Sequence, residues 1–153
     1  MIQLVTELLR GFERDGYCKA ILVSGHYPNR TEYLDAAKAA YTEAGGTMDV
    51  LALIESEVPG GHGDHAAKYE TSCMLHLLPE LVDLDRLHAG PEDDLRGPDE
   101  VVNWMTPEYD GHANYGLVGI DPRAHASAEV GCEETERLLD YLAARVIGEA
   151  HPQ

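Results

Sequence analysis

A chain of 153 residues, 44% of them hydrophobic and 25% charged, has the size and composition of a single globular domain spanning residues 1–153. Its 28 acidic residues against 11 basic ones give a formal charge of −17, which disfavours nucleic acid and anionic membrane surfaces as partners. The cysteines form no CxxC pair, and neither a membrane span nor a signal peptide is recognisable, so we expect a soluble, cytoplasmic protein.

The first part of the chain alternates predicted helices with predicted strands. Residues 2 to 15 form an amphipathic helix that Gly16 ends, and residues 18 to 24 (CKAILVS) are typical of a buried parallel strand. A second helix is predicted over residues 31 to 44 and a second strand over residues 48 to 55. This order predicts right-handed crossovers and a parallel sheet covered on both faces. The predicted inner faces are Ile2, Val5, Leu8, Leu9 and Phe12 in the first helix and Tyr33, Leu34, Ala37, Ala40 and Tyr41 in the second.

The second part begins with a glycine-rich loop, SEVPGGHGDH, that leads into a predicted helix near residues 66 to 78. The following ELVDLDRL predicts a short turn and strand. Residues 88 to 115 predict a long loop with at most one helical turn around VVNWM, in which Trp104 is a buried anchor or a stacking platform for a flat substrate. A final helix is predicted with Leu138, Leu139, Leu142, Val146 and Ile147 as its apolar stripe.

Reactive side chains follow the two predicted strands. His26 lies in SGHYPNR, directly after the first strand, and His62, Asp64, His65 and Glu70 follow the second. Ligands of open α/β sheets bind beyond the carboxyl ends of the strands, so these side chains are expected to converge. Imidazole and carboxylate together suit zinc, manganese or iron(II). The alternative is that His26 is a hydrogen-bonded structural residue and the loop only a connection, and spacing leaves both open.

The separation of His65 and Glu70 sets a condition on any shared site. Five residues apart on one helix, they would be rotated by about 140° from each other. They can face one site only if His65 is still in the loop and Glu70 is at the start of the helix.

Three stretches, SGHYPN, HAAKYETSCMLHLLPELVDLDRL and GLVGIDPRAHASAEVG, resemble in this order the creatininase family of metal-dependent amidohydrolases. That family typically shows an NGHGGN or NGHYEN turn, an HAGExETS stretch before a leucine-rich segment, and a late G-x-x-G-D-P … A-S-A-x-x-G stretch. The likeness spans nearly the whole chain, and ETSxMLxLxPELVDLDR is its most specific part. It implies a three-layer α/β/α sandwich with a mostly parallel sheet, a homo-oligomer, a divalent metal (zinc, manganese or iron) and a small-molecule amide substrate.

The resemblance also implies roles for individual residues. His26 matches a metal-binding histidine, Glu70 a glutamate that binds metal or orients water, and His65 a histidine that transfers protons near the substrate. Tyr27 and Asn29 match turn residues beside the metal. In such a site a metal-bound hydroxide attacks an amide-like carbon, and Glu70 or His65 passes the proton to the leaving nitrogen.

The chain departs from the family pattern at several positions. Pro28 stands where creatininase has a metal-binding glutamate, Ala67 replaces a glycine, and Lys68 replaces an acid. The Glu-x-His pair and later Asp of the family's N-terminal part have no counterpart here, so we expect a fold lacking the N-terminal strand and helix. One His and one Glu fall short of three zinc ligands.

Three interpretations follow. The first is an amidohydrolase acting on a non-peptide C–N bond in a cyclic or formylated amide, incomplete as a lone chain and complemented by an N-terminal chain. The second is a non-catalytic structural or regulatory member of the family. The third is a mononuclear metal site rebuilt from His26, His62, Asp64, His65 and Glu70.

Overall fold

The computed structural model describes residues 1–87, 100–112 and 114–148. The chain divides into two compact units, one formed by Met1–Gly61 with Asp140–Gln153 and the other by His62–Leu139. In the described residues no helix is both long enough and apolar enough to span a bilayer.

The first unit contains the helix–strand–helix–strand order that the sequence predicts. Its elements are α1 (Ile2–Arg14), β1 (Lys19–Ser24), a π-helical turn (Arg30–Leu34) that runs into α2 (Asp35–Glu43), and β2 (Asp49–Ile54). Strands β1 and β2 pair in parallel, with Lys19 opposite Asp49 and Ser24 opposite Ile54. The predicted parallel pairing is therefore confirmed.

The core of this unit forms between α1, α2 and β2 around Leu9, Tyr41, Met48 and Val50. The Tyr41 hydroxyl accepts a hydrogen bond from the Met48 backbone N–H at 2.9 Å. A Cβ at Gly46 would lie 2.2 Å from the Tyr41 ring, so only glycine fits at this end of the helix. The predicted inner face of α2 is confirmed.

The predicted inner face of α1 is wrong in part. Leu9 is buried, but Ile2, Leu8 and Phe12 are exposed. The buried side of α1 instead includes Thr6, whose hydroxyl donates to the Ala37 carbonyl at 3.4 Å. The inner face was predicted from the spacing of apolar residues alone, and this spacing does not include a buried polar residue such as Thr6.

Strand β1 is less buried than its sequence predicts. Its residues are half-buried, except Val23, which is exposed. By contrast, four of the six β2 residues are buried. In the part of the chain that the structure describes, β1 pairs with β2 along one edge only.

The second unit contains α3 (Lys68–Leu77), β3 (Val101–Asn103), β4 (Val118–Ile120), the short helix α4 (Pro122–His125) and the part of α5 (Ala128–Ile147) up to Leu139. Strands β3 and β4 pair antiparallel. Trp104 follows β3, is 5% exposed and packs with Ala67, Val102 and Leu117, which agrees with the buried-anchor interpretation.

Three predictions in this part need correction. ELVDLDRL forms two 3₁₀ turns, Pro79–Leu81 and Leu84–Arg86, and no strand, because proline at the first position starts a helical turn. VVN is a strand because it pairs with β4, although residues 88–99 of the predicted loop lie outside the described residues. In α5, Leu139, Val146 and Ile147 are exposed, so only part of the predicted stripe is covered.

Candidate functional site

The turn after β1 presents His26 at the carboxyl end of the strand. The Ser24 hydroxyl accepts hydrogen bonds from the His26 backbone N–H at 3.1 Å and from the Asn29 side-chain amide at 2.8 Å. The Asn29 backbone N–H donates to the His26 carbonyl at 3.0 Å, which closes the turn. Asn29 therefore shapes the turn, Tyr27 is half-buried beside it, and His26 is exposed.

A carboxylate that the sequence analysis did not single out lies at the same edge of the sheet. Glu55 follows β2, and its Oε2 is 3.9 Å from the position of a Cβ at Gly25. The register that pairs Ser24 with Ile54 explains this proximity, because the next residues of both strands leave the sheet together. Applying the strand-end rule to the last residue of the second predicted strand would have identified it.

Asp64 holds the start of α3. Its side chain is nearly buried, at 8% exposure, and its two oxygens accept hydrogen bonds from the backbone N–H groups of Tyr69 at 2.7 Å and Glu70 at 3.1 Å. These donors belong to the first helical turn and have no partner within the helix. Burial raises the pKa of the Asp64 carboxyl, although the two hydrogen bonds oppose the shift. Asp64 therefore acts as a cap.

His65 and Glu70 meet the condition that their spacing sets. His65 is in the loop, where its N–H donates to the Val118 carbonyl at 2.7 Å and its carbonyl accepts from the Val118 N–H at 2.9 Å. Helix α3 begins at Lys68, so Glu70 is in its first turn. The Glu70 carboxylate accepts a hydrogen bond from the Ala66 N–H at 2.7 Å. His65 thus joins the loop to β4, and Glu70 joins α3 to the loop.

The backbone between them contains one left-handed residue. Ala66 has a φ of 51°, which is uncommon for a residue with a side chain. Ala67, the residue in place of the family's glycine, has a φ of −108°. The replacement therefore introduces no left-handed strain at Ala67, and the strain lies one residue earlier.

His62 belongs to a separate polar network. Its Nδ1 lies 2.8 Å from Glu134 Oε1, and its ring stacks on Tyr69 at a centroid distance of 4.4 Å. Burial disfavours the charged form of Glu134, but hydrogen bonds from Arg137 and His62 outweigh it and lower the pKa of Glu134. The Lys68 Nζ lies over the Tyr69 ring, 4.9 Å from the ring centroid. Glu134 lies 72 residues from His62, so no local signal could have paired them.

A pocket of about 300 Å³ opens beside Glu70. Glu70 and Asp83 supply carboxylates to its wall, and the 3₁₀ turns after α3 form its other side. Its apolar lining consists of Met74, Leu81, Val82, Leu84 and Leu87. The most specific motif of the sequence, ETSxMLxLxPELVDLDR, thus builds a small, mainly apolar pocket around one candidate catalytic carboxylate.

The described side chains do not form a complete metal site. Within residues 1–87, 100–112 and 114–148, no three or more His, Cys, Asp or Glu side chains are grouped so as to hold one. A catalytic zinc takes three protein ligands, so the described residues do not fit such an ion by themselves.

Comparisons with known proteins agree with the motifs. The family model Creatininase, described as creatinine amidohydrolase, matches residues 1–146. A creatinine amidohydrolase of Pseudomonas putida is 32% identical over 106 residues, which cover 57% of this chain and 41% of the relative. A crystal structure of creatinine amidohydrolase (creatininase) matches with a TM-score of 0.69 and 23% identity, covering 99% of this chain and 64% of that one. A mutant creatininase of Zn-Zn type matches with a TM-score of 0.68 and 24% identity, at the same coverage. The chain therefore has the fold of these enzymes with a small parallel sheet, and spans less than two thirds of their length.

Proposed function

This chain belongs to the creatininase family, and from that premise we propose that it takes part in hydrolysing a non-peptide C–N bond in a cyclic or formylated amide. The activity is that of a complex in which this chain supplies the pocket and the proton-transfer groups. Residues outside the described ones, among them those of a complementary N-terminal chain, supply what the described residues lack.

One observation carries the proposal. Glu70 is both in the first turn of α3 and in the wall of the pocket of about 300 Å³, close to the lower size limit of small-molecule sites. Most of the residues that line the pocket are apolar, which suits a small neutral amide. The hydrogen bond from the Ala66 N–H holds the carboxylate of Glu70 in a defined position.

His65 and Glu70 carry the proton in this proposal. A general acid or base has to reach the reacting atoms through about 2.6–3.2 Å or one water molecule. The bridge from His65 to Val118 holds the backbone of His65, and the cap from Asp64 holds the backbone of Glu70. Fixing both ends reduces the motion of the two groups, so that the leaving nitrogen can be protonated at one place.

Metal dependence is part of the proposal, supported by the Zn-Zn and manganese forms among the similar creatininases. We assign His26 and Glu70 as ligands of the metal ion, which is zinc, manganese or iron. The described residues do not complete a site, so we assign the remaining ligands to residues outside them. Metal content by inductively coupled plasma mass spectrometry, with and without His26→Ala, tests the assignment of His26.

The proposal also includes the domain organisation, the fold, the cellular location and the partners of the chain. We assign the chain to one creatininase-like domain over residues 1–153, a three-layer α/β/α sandwich in the complete assembly. It works in the cytoplasm as a homo-oligomer or with a complementary N-terminal chain. Its partners are small-molecule amides rather than nucleic acids or membranes.

The test is an activity assay with a matched pair of variants. The purified chain, with Zn²⁺ or Mn²⁺, is assayed on creatinine and on an N-formyl amide, alone and with the part of the Pseudomonas putida relative that it does not match. Glu70→Gln should lower kcat about 10²-fold or more, and Glu80→Gln, an exposed glutamate ten residues later in the same motif, should leave it unchanged.

Equal activity of both variants would assign any turnover to a contaminant or to another site. A folded chain that shows no turnover, either alone or with the part of the Pseudomonas putida relative, would support the non-catalytic interpretation instead.

A further inference from the structure

A second pocket, of about 360 Å³, lies in the first unit at the amino ends of β1 and β2. Lys19 and Asp49, the first residues of the two strands, face each other there in register. Its other lining residues include Lys38 of α2, Val50, Leu51 and Arg145 of α5. The five steps between the six residues of β1, at roughly 3.3 Å each, put this pocket about 17 Å from the carboxyl end of β1, so it is separate from the His26 turn.

The charge of this pocket is opposite to that of the chain. The protein has a formal charge of −17 and only three lysines, and two of them, Lys19 and Lys38, line this pocket together with Arg145. Among the described residues that line the pocket, Asp49 is the only one with a carboxylate, so these residues carry a net positive charge. A local excess of cations inside an acidic surface focuses the field on one place and attracts small anions there.

Part of this arrangement has a structural role. The Lys19 ammonium donates to the Arg145 carbonyl at 2.5 Å, in the last turn of α5, and lies 3.3 Å from the Asp49 carboxylate. These two contacts stabilise the end of α5 and explain why a lysine is present at position 19. They do not account for Lys38, which is exposed in the first half of α2.

Tyr141 orients the guanidinium of Arg145. The guanidinium lies over the Tyr141 ring, 4.9 Å from the centroid, and donates to the Tyr141 hydroxyl at 3.0 Å. This uses one of the five N–H donors of a planar group that suits phosphate and carboxylate oxygens. An oriented guanidinium loses little side-chain entropy when it binds an anion.

We propose that this pocket binds a small anionic metabolite through a phosphate or carboxylate group, which contacts Lys38 and Arg145 while Lys19 supports the site. The volume exceeds that of a single phosphate group, so the ligand carries additional atoms that contact Val50 and Leu51. The proposal is independent of amide hydrolysis, and its test does not use activity.

The test is an NMR titration of the isotopically labelled full chain at constant ionic strength, with inorganic phosphate and, separately, malonate as probes. We expect saturable shifts of the backbone amide signals of Lys19, Val50 and Leu51. The probe that binds more tightly identifies the anionic group. Lys38→Ala and Arg145→Ala should each weaken binding at least fivefold.

Arg14→Gln is the matched control, because it removes one positive charge from an exposed residue of the same unit outside the pocket. It should leave the affinity within twofold. Shifts that do not saturate with either probe, or affinities that change equally in all three variants, would overturn the proposal. Chemical-shift spectra of each variant without ligand establish that it is folded.

Discussion

The backbone N–H of Ser127 donates a hydrogen bond of 3.0 Å to the Ser72 hydroxyl. Ser72 is fully buried, and its hydroxyl in turn donates to the Lys68 carbonyl at 2.5 Å. This contact joins the ETS motif of α3 to the ASAxxG motif at the start of α5. The glycine of that second motif, Gly131, allows the close approach, because a Cβ there would lie 1.9 Å from the Ser72 carbonyl oxygen. These motif residues therefore serve packing.

Gly131→Ala is expected to destabilise the protein. Alanine favours a helix by about 1 kcal/mol over glycine, but overpacking against the backbone of α3 costs roughly 1–3 kcal/mol or more. The free energy of unfolding from urea denaturation measures the net loss. Gly11→Ala in α1 is the control, since the nearest atom to its Cβ is 3.9 Å away, on the Arg14 side chain, and this variant should gain stability.

Replacing Ala66 with glycine and replacing Ala67 with glycine are expected to change the free energy of unfolding in opposite directions. Ala66→Gly relieves a left-handed backbone and should raise the free energy of unfolding by up to about 1 kcal/mol. Ala67→Gly should lower it by about 1 kcal/mol, because Ala67 has a negative φ and a fully buried methyl group. Urea denaturation of both variants tests this, and a loss of stability in Ala66→Gly would contradict the assigned strain.

Asp64→Asn is expected to change how stability depends on pH. Because the folded pKa of Asp64 is raised above 3.8, the folded state binds this proton more tightly than the unfolded state. The contribution of Asp64 to the free energy of unfolding is therefore fully present at low pH. It declines as pH rises from below 3.8 through the raised pKa. Asparagine cannot ionise, so the stability difference between wild type and Asp64→Asn should shrink as pH rises through this window.

Urea denaturation at a series of pH values measures that difference. Asn can accept through one oxygen only, so the variant should also lose about 1 kcal/mol from one hydrogen bond of the cap. Asp15→Asn, an exposed aspartate, is the control. A difference for Asp64→Asn that is independent of pH would argue against the raised pKa.

Glu134→Gln is expected to show the opposite pH dependence. The lowered pKa of Glu134 means that its contribution is present above the ordinary value of 4.5 and is lost as pH falls through the folded pKa. At neutral pH the variant should lose about 1–3 kcal/mol, because Arg137 and His62 lose a charged partner whose side chain is only 11% exposed. The same loss at pH 3 and pH 7, measured by urea denaturation, would contradict this.

Part of the candidate site was predictable from sequence and part was not. The positions of His26 after a strand and of Glu70 in the helix after the glycine-rich loop follow from apolar runs and from Gly and Pro, which act over a few residues. The same rules misplaced the strand in ELVDLDRL and the helical turn at VVNWM, because short segments take their structure from what they pair with.

The amino-acid sequence by itself determined the family and the order of the helices and parallel strands, together with the loop-to-helix boundary between His65 and Glu70. These depend on local periodicity and on motif residues that are adjacent in the chain. Only the tertiary structure decided that Asp64 caps α3, that His62 is paired with Glu134, and that Lys19, Lys38 and Arg145 share a pocket. The physical reason is that hydrogen bonds and charges act through space, and 126 residues of chain separate Lys19 from the carbonyl of Arg145 that it contacts.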